Sequence, residues 1–350
     1  LWNKKVISKD FVMPVPSSKQ FLAMLSSASR GSYAFPAINV SSLETANAAM
    51  QAFVDKKSDG ILQISLGAGK YASGPANDDV IGAVSIAEHV HRVAAKLPVF
   101  VALHTDHCQF DQITFIERLL EYSRESVKLR GQPLFNGHMF DGSALPLKKN
   151  LEVAVDLLRK CSEIGIIPEF EAGVVGGEEE GAAVAESHHE LYTTPEDMLE
   201  VARALFPLDA PFLFAATFGN VHGIYKPGNV KLRPEILKEG QEAVIKEFSA
   251  DKKFFLVFHG GSGTPVEQIR ETLGYGVVKM NVDTAAQYAF TRPIVDHMFT
   301  NYSGVLMVDG EMGEKKLYDP RSYLKKATKS MTNRVAQAAD ELCSSGKTLC

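Results

Sequence analysis

Short apolar runs rich in β-branched and aromatic residues alternate along this chain with longer stretches of helical spacing. The runs are Tyr33–Val40, Gly60–Ser65, Pro98–His104, Pro133–Asp141, Gly165–Glu171, Pro211–Thr217, Phe254–His259 and Gly276–Asn281. Between them, segments such as LETANAAMQAFVDK, DVIGAVSIAEHVHRVAAK, NLEVAVDLLRKCSEIG and PEILKEGQEAVIKEF carry apolar residues at three- and four-residue intervals. Helix starts are marked at Ser41 with Glu44, at Thr264-Pro265 with Glu267, and at Thr194-Pro195-Glu196-Asp197. Near-continuous apolar strands imply a parallel sheet covered by helices on its outside. Eight strand–helix units predict an α/β fold, the (β/α)8 TIM barrel, rather than a doubly wound sheet with a second domain. No Pro- or Ser-rich linker divides the chain. Residues 1–350 are expected to form one domain, with a barrel over about 33–300 and a helical extension over about 301–350. Gly173–Tyr192 is Gly-rich, acidic and aperiodic, and is expected to be a long loop after strand five.

Composition narrows the function classes. The 350 residues are 45% hydrophobic and 23% charged, an ordinary globular balance that excludes collagen-like and disordered chains. No apolar run reaches the roughly 20 residues of a membrane-spanning helix. A net charge of -5 argues against nucleic acid as a partner. Cys108, Cys161, Cys343 and Cys350 are scattered, so neither a disulfide framework nor a thiolate zinc cluster is expected. Residues 1–20 contain no secretory h-region, so the expected location is cytoplasmic, or an organelle after loss of a targeting peptide.

Chemistry concentrates where the apolar runs end. Asn39, Ser65, His104-Thr105-Asp106-His107, Asp141, Glu169 with Glu171, Gly219–Gly223, His259–Gly263 and Asn281–Thr284 close the eight runs in turn. In a barrel these ends converge on one face, where the active sites of the fold lie. Three of the groups are histidines, His107, His222 and His259, a set that could hold zinc and leave a position open. The direction of His104 is not fixed by the pattern, and His89, His91, His138, His188, His189 and His297 read as structural or solvent-facing. HGGSG before a helix start, beside Asn281–Thr284 before the next, suggests a pair of backbone cradles for phosphate.

The motifs VALHTDHC, EFEAGVVGGEEEG, FGNVHGIYKPGN, FHGGSG and VVKMNVDT, in that order, resemble those of the class II (zinc-dependent) fructose-bisphosphate aldolases, and most closely their dimeric class IIA branch. The likeness runs from about Phe35 to Arg321, with Pro168 and Ala172 as departures that touch strand packing. It implies reversible cleavage of fructose 1,6-bisphosphate to dihydroxyacetone phosphate and glyceraldehyde 3-phosphate through a zinc-stabilised enediolate, in glycolysis and gluconeogenesis. It implies that His107, His222 and His259 hold the catalytic zinc. Asp141 and Glu171 match a second zinc position of some members, and are equally open as partners of the ligands. Asp106 matches the catalytic acid, and Glu179 the base, with Glu178 beside it as an alternative. Asn39, Ser65, Gly223, Gly260, Gly261, Ser262, Asn281, Asp283 and Thr284 match substrate contacts. Arg321 matches an arginine that reaches the partner subunit's distal phosphate. A homodimer and a monovalent cation, Na+ or K+, are implied as well.

Rival readings remain at this point. Tagatose or sedoheptulose bisphosphate could replace the fructose ester, since the readers of their hydroxyls cannot be placed. A Schiff-base aldolase would need a strand-end lysine, for which Lys279 is the one obvious candidate. A zinc-dependent barrel hydrolase would use the same metal on water, but its usual His-x-His does not match HTDH. A non-catalytic scaffold would leave the full donor set unexplained.

Overall fold

The computed structural model describes residues 14–173, 176–179, 182–183, 192–222, 231–249, 251–306 and 312–350, the side chains of 176–179, 182–183 and 221–222 excepted. Eight parallel strands form the central sheet: β1 (Phe35–Asn39), β2 (Gly60–Ile64), β3 (Val101–Thr105), β4 (Met139–Asp141), β5 (Glu169–Ala172), β6 (Leu213–Ala216), β7 (Phe255–Phe258) and β8 (Val277–Val282). Their order is β3-β2-β1-β8-β7-β6-β5-β4. The sheet curls back on itself, because the amides of Asn136 and Gly137 donate to Leu103 O and a His104–Gly137 bridge joins β3 to the segment before β4. The result is the TIM barrel that the strand–helix alternation predicts. All eight expected runs carry a strand, with β4 much shorter than Pro133–Asp141 because the Leu103 amide donates to the Asn136 side-chain oxygen rather than to a backbone carbonyl of the run.

Strand alternation divides the barrel into two surfaces. Outward residues such as Ile38, Leu62, Leu103, Phe170, Phe214 and Phe258 join the helices in the larger apolar cluster. Inward residues near the strand starts, among them Phe35, Ala37, Ile61, Ala102 and Leu213, meet Phe21, Met24, Leu25 and Ala28 of the helix Ser18–Gly31. That helix therefore plugs the N-terminal mouth. Inward positions further along are polar: Gln63, His104, Glu169, Glu171, Lys279 and Asn281 are all buried.

Helix starts follow local chemistry, with two corrections. Pro195–Leu205 starts where the acidic Thr194–Asp197 signal lies, and Thr194 caps it while exchanging bonds with Asp197. The helix Leu43–Lys56 is capped by Ser42 with Thr45, not by Ser41 with Glu44, since the hydroxyl pair closes a tighter reciprocal box. Thr264 does not cap the helix Val266–Gly274. Pro265 holds the residue before the first turn, and the Thr264 hydroxyl makes no hydrogen bond. The helix Pro320–Glu341 packs against Leu43–Lys56 and Thr284–Thr300, placing Met331 and Val335 in the main cluster. Part of the loop expected after β5 is ordered as strands: Gly176–Glu179 pairs antiparallel with Ala182–Ala183 and parallel with Val221–His222. Among the described residues, no helix is long and apolar enough to cross a membrane.

Candidate functional site

At the C-terminal mouth the ends of β3, β5 and β7 bring His107, Glu171 and His259 into one cluster, with one potential ligand atom of each within 4.8 Å of the others. Glu171 Oε2 lies 3.5 Å from His107 Nδ1 and 3.3 Å from His259 Nδ1. It is buried and accepts no hydrogen bond. A tetrahedral zinc with bonds of about 2.1 Å holds its donors about 3.4 Å apart, so the spacing of Glu171 Oε2 and His259 Nδ1 suits such an ion. His107, whose Nδ1 also faces Asp141, has Nε2 as its nitrogen for a metal. The donor chemistry suits it too: imidazole and carboxylate are its nitrogen and oxygen ligands. Burial pushes the neighbouring Cys108 thiol up to about 12, so no thiolate competes.

Each imidazole is held by a carboxylate. His107 Nδ1 stands 3.1 Å from Asp141 Oδ2, whose Oδ1 accepts the Ser143 amide at 3.0 Å. Burial raises the Asp141 carboxyl, but its bonds with His107 and Ser143 outweigh that and hold it well below the ordinary range. His259 Nε2 bonds Glu169 Oε1 at 2.7 Å. Burial disfavours a charged His259, yet Glu171 and Glu169 raise it to about 9. Glu171 itself is raised, first by burial and then by Asp141 nearby. His222 enters at the backbone only, in the strand Val221–His222, and its side chain lies outside the described residues. Its segment is anchored to the cluster by Asn220, whose Nδ2 donates to His259 O at 3.1 Å.

Asp106 is fixed from two sides. Asn39 Nδ2 donates to its Oδ2 at 2.5 Å, and Asn281 Nδ2 to its Oδ1 at 3.3 Å. Gln63 Nε2 donates to Asn39 Oδ1 at 2.9 Å, which settles which way that amide points. Burial pushes the Asp106 carboxyl up, but His107, Lys279 and Asn39 together bring it below its usual value. The carboxylate is thus an oriented anion beside the donor cluster, able to take a proton. Gln63 carries no strand-end signal, and only its polarity within an apolar run could have marked it.

The two turns expected to cradle phosphate adjoin. Gly260 takes φ +64°, which favours glycine, and a Cβ on Gly261 would sit 2.7 Å from Met280 Sδ. Ser262 Oγ accepts the Ala285 amide at 3.4 Å and so joins the turn after β7 to the helix Thr284–Thr300, where Asp283 is the residue before the first turn. Ser65 is engaged as the N-cap of Leu66–Ala72, accepting the Ala68 amide. Glu179 pairs through its backbone with Ala182, its side chain outside the described residues, as is all of Gly223. Arg321 is exposed and ion-paired with Asp319 at 2.6 Å, at the start of the last long helix. Lys279, the Schiff-base candidate, is fully buried and donates to Glu169 at 2.7 Å and Asn281 at 2.9 Å.

Comparison with known proteins agrees with this geometry. Residues 19–347 match the family model for fructose-bisphosphate aldolase class-II. The fructose-bisphosphate aldolase of Mycobacterium tuberculosis is 54% identical over 343 residues, covering 96% of this chain and 99% of the relative. That of Corynebacterium glutamicum is 52% identical over 342 residues, with the same coverage of both chains. The crystal structure of the Campylobacter jejuni enzyme superposes with a TM-score of 0.86 at 36% identity, covering 97% of this chain and 99% of that one. A family model that spans residues 19–347, with relatives more than half identical over nearly their whole length, shows that the chain belongs to the class II fructose-bisphosphate aldolase family.

Proposed function

We propose that this chain catalyses reversible aldol cleavage of fructose 1,6-bisphosphate to dihydroxyacetone phosphate and glyceraldehyde 3-phosphate. The observation that carries the reading is the placement of Asp106, clamped by Asn39 and Asn281, beside the His107–Glu171–His259 cluster. His107, His259 and His222 would hold the zinc ion, with Glu171 in reach of the same position and Asp141 orienting His107. When bound, that ion supplies Lewis-acid polarisation of the ketone. Asp106 takes the proton of the carbon-4 hydroxyl during cleavage and returns it during synthesis. Glu179, with Glu178 as the neighbouring alternative, exchanges the carbon-bound proton of the three-carbon fragment. Gly223, Gly260, Gly261 and Ser262, with Asn281, Asp283 and Thr284, receive its phosphate at backbone amides and helix starts. Asn39 and Ser65 contact the sugar chain.

The class IIA assignment, the homodimer and the monovalent cation near the phosphate belong to the same proposal. In it Arg321 exchanges its Asp319 partner for the distal phosphate bound in the neighbouring subunit. Cleavage rates on fructose, tagatose and sedoheptulose bisphosphates test the substrate directly. The fructose ester should be cleaved fastest, and a clear preference for tagatose would overturn the sugar assignment. A chelator should abolish activity and zinc restore it. Borohydride with substrate should have no effect, because Lys279 is committed to its ion pair.

A further inference from the structure

The buried pair Lys279–Glu169 takes no part in the roles above. Neither side chain exposes any surface, and β6 and β7 lie between their strands, so the pair spans the barrel interior. Removing two charges from water is costly, and a buried pair is weak as a pure stabiliser. Its bonds, however, lead to both halves of the site. Glu169 Oε2 accepts Lys279 Nζ at 2.7 Å, while Oε1 bonds His259 Nε2 at 2.7 Å. With Nε2 so engaged, His259 turns Nδ1 toward Glu171 Oε2, 3.3 Å away. The second Lys279 bond, to Asn281 Oδ1 at 2.9 Å, fixes the flip of that amide, so that its Nδ2 faces Asp106.

We propose that Lys279 and Glu169 form a positioning pair that orients the imidazole of His259 and, through Asn281, the carboxylate of Asp106. The inference rests on the reading of the cluster as a zinc site and adds a single residue, Lys279, that serves its metal arm and its acid arm together. Neither member touches substrate. Lys279 acts through Glu169 on one side and Asn281 on the other, and its ammonium is occupied rather than nucleophilic.

The test is zinc affinity, measured by competition with a chromophoric chelator on folded protein checked by circular dichroism, together with the visible spectrum of the cobalt-substituted form. Glu169→Gln and Lys279→Met should each weaken zinc binding about 10- to 100-fold, the range for partners of metal ligands, and alter the cobalt spectrum. The double variant, which removes both charges and keeps an acceptor for His259, should lose no more than the worse single variant. At saturating zinc, Lys279→Met should lower kcat more than Glu169→Gln, because only the lysine holds Asn281, with KM changing less than kcat. Lys279→Met strands a buried carboxylate, so Glu169→Gln and the double variant decide the matter if it does not fold. Folded variants with parental zinc affinity within twofold and an unchanged cobalt spectrum would overturn the proposal. A parent protein that binds no zinc would instead refute the metal reading beneath it.

Discussion

The chemistry of the mouth depends on a few side chains whose directions are each set by a named partner. Asp106 illustrates the point: two amides hold it, and Gln63 sets the flip of one of them. Asp106→Asn should keep zinc affinity near parental while kcat falls about a hundredfold to ten-thousandfold, the usual worth of a general acid–base group. A chelator competition run beside the cleavage assay checks both halves. Loss of zinc in step with activity would mean that Asp106 supports the metal instead. The strand-end polar residues were legible in the chain because eight β-rich runs closed on them. The directions of His104 and Lys279 were harder, since inward and outward faces differ by one residue of register. Only the ladder shows that His104 and Lys279 point into the barrel.

Elements bring these residues together, and their packing has its own demands. After β2, the helices Leu66–Ala72 and Asp79–Ala94 meet through Gly69 and Gly82, where a Cβ on Gly82 would come 1.7 Å from Gly69 O. The clash is with backbone, which cannot swing aside. Gly82→Ala should therefore cost about 1–3 kcal/mol, the range for overpacking, read as a lower urea midpoint at unchanged slope. It should also raise KM, because Ser65 caps the first of those helices and moves with it. An unchanged midpoint would show that the helices can separate freely. The helices were legible from periodicity, and Leu43–Lys56 matches its expected span residue for residue. Caps were less so: Ser41, Ser42 and Thr45 compete at one turn, and only geometry chooses between them. β4 was overestimated because PLFNGH is apolar enough for a strand, while Asn136 spends its amide on Leu103 N and Pro16 O.

At the scale of the whole molecule, the barrel wall keeps imidazoles from water on both of its surfaces: His104 points inward among the polar residues, while His138 lies on the outer face with Thr105 and Phe135. Burial lowers His104 to about 4, with Lys279 adding to the effect, and lowers His138 to about 3, with His104 adding to it. Both are neutral in the folded chain near pH 7, whereas an unfolded histidine titrates near 6.5. Between pH 6.5 and those lowered values the unfolded chain binds more protons, so stability is fully present above 6.5 and drains away as pH falls. His138 has few other attachments: its Nδ1 lies 3.2 Å from the Thr105 hydroxyl and its ring packs on Phe135. In metal-stripped protein, unfolding free energies of the parent and of His138→Asn should therefore converge as the medium is acidified. The gap between them should shrink by about 2 kcal/mol from pH 7.5 to pH 5, because asparagine has no proton to gain on unfolding. Urea titrations at the two pH values measure that difference directly, and other titrating groups cancel between the two proteins. A gap that stays constant would mean that His138 protonates in place, and that the layer between the barrel and its helices admits water far more readily than its burial implies.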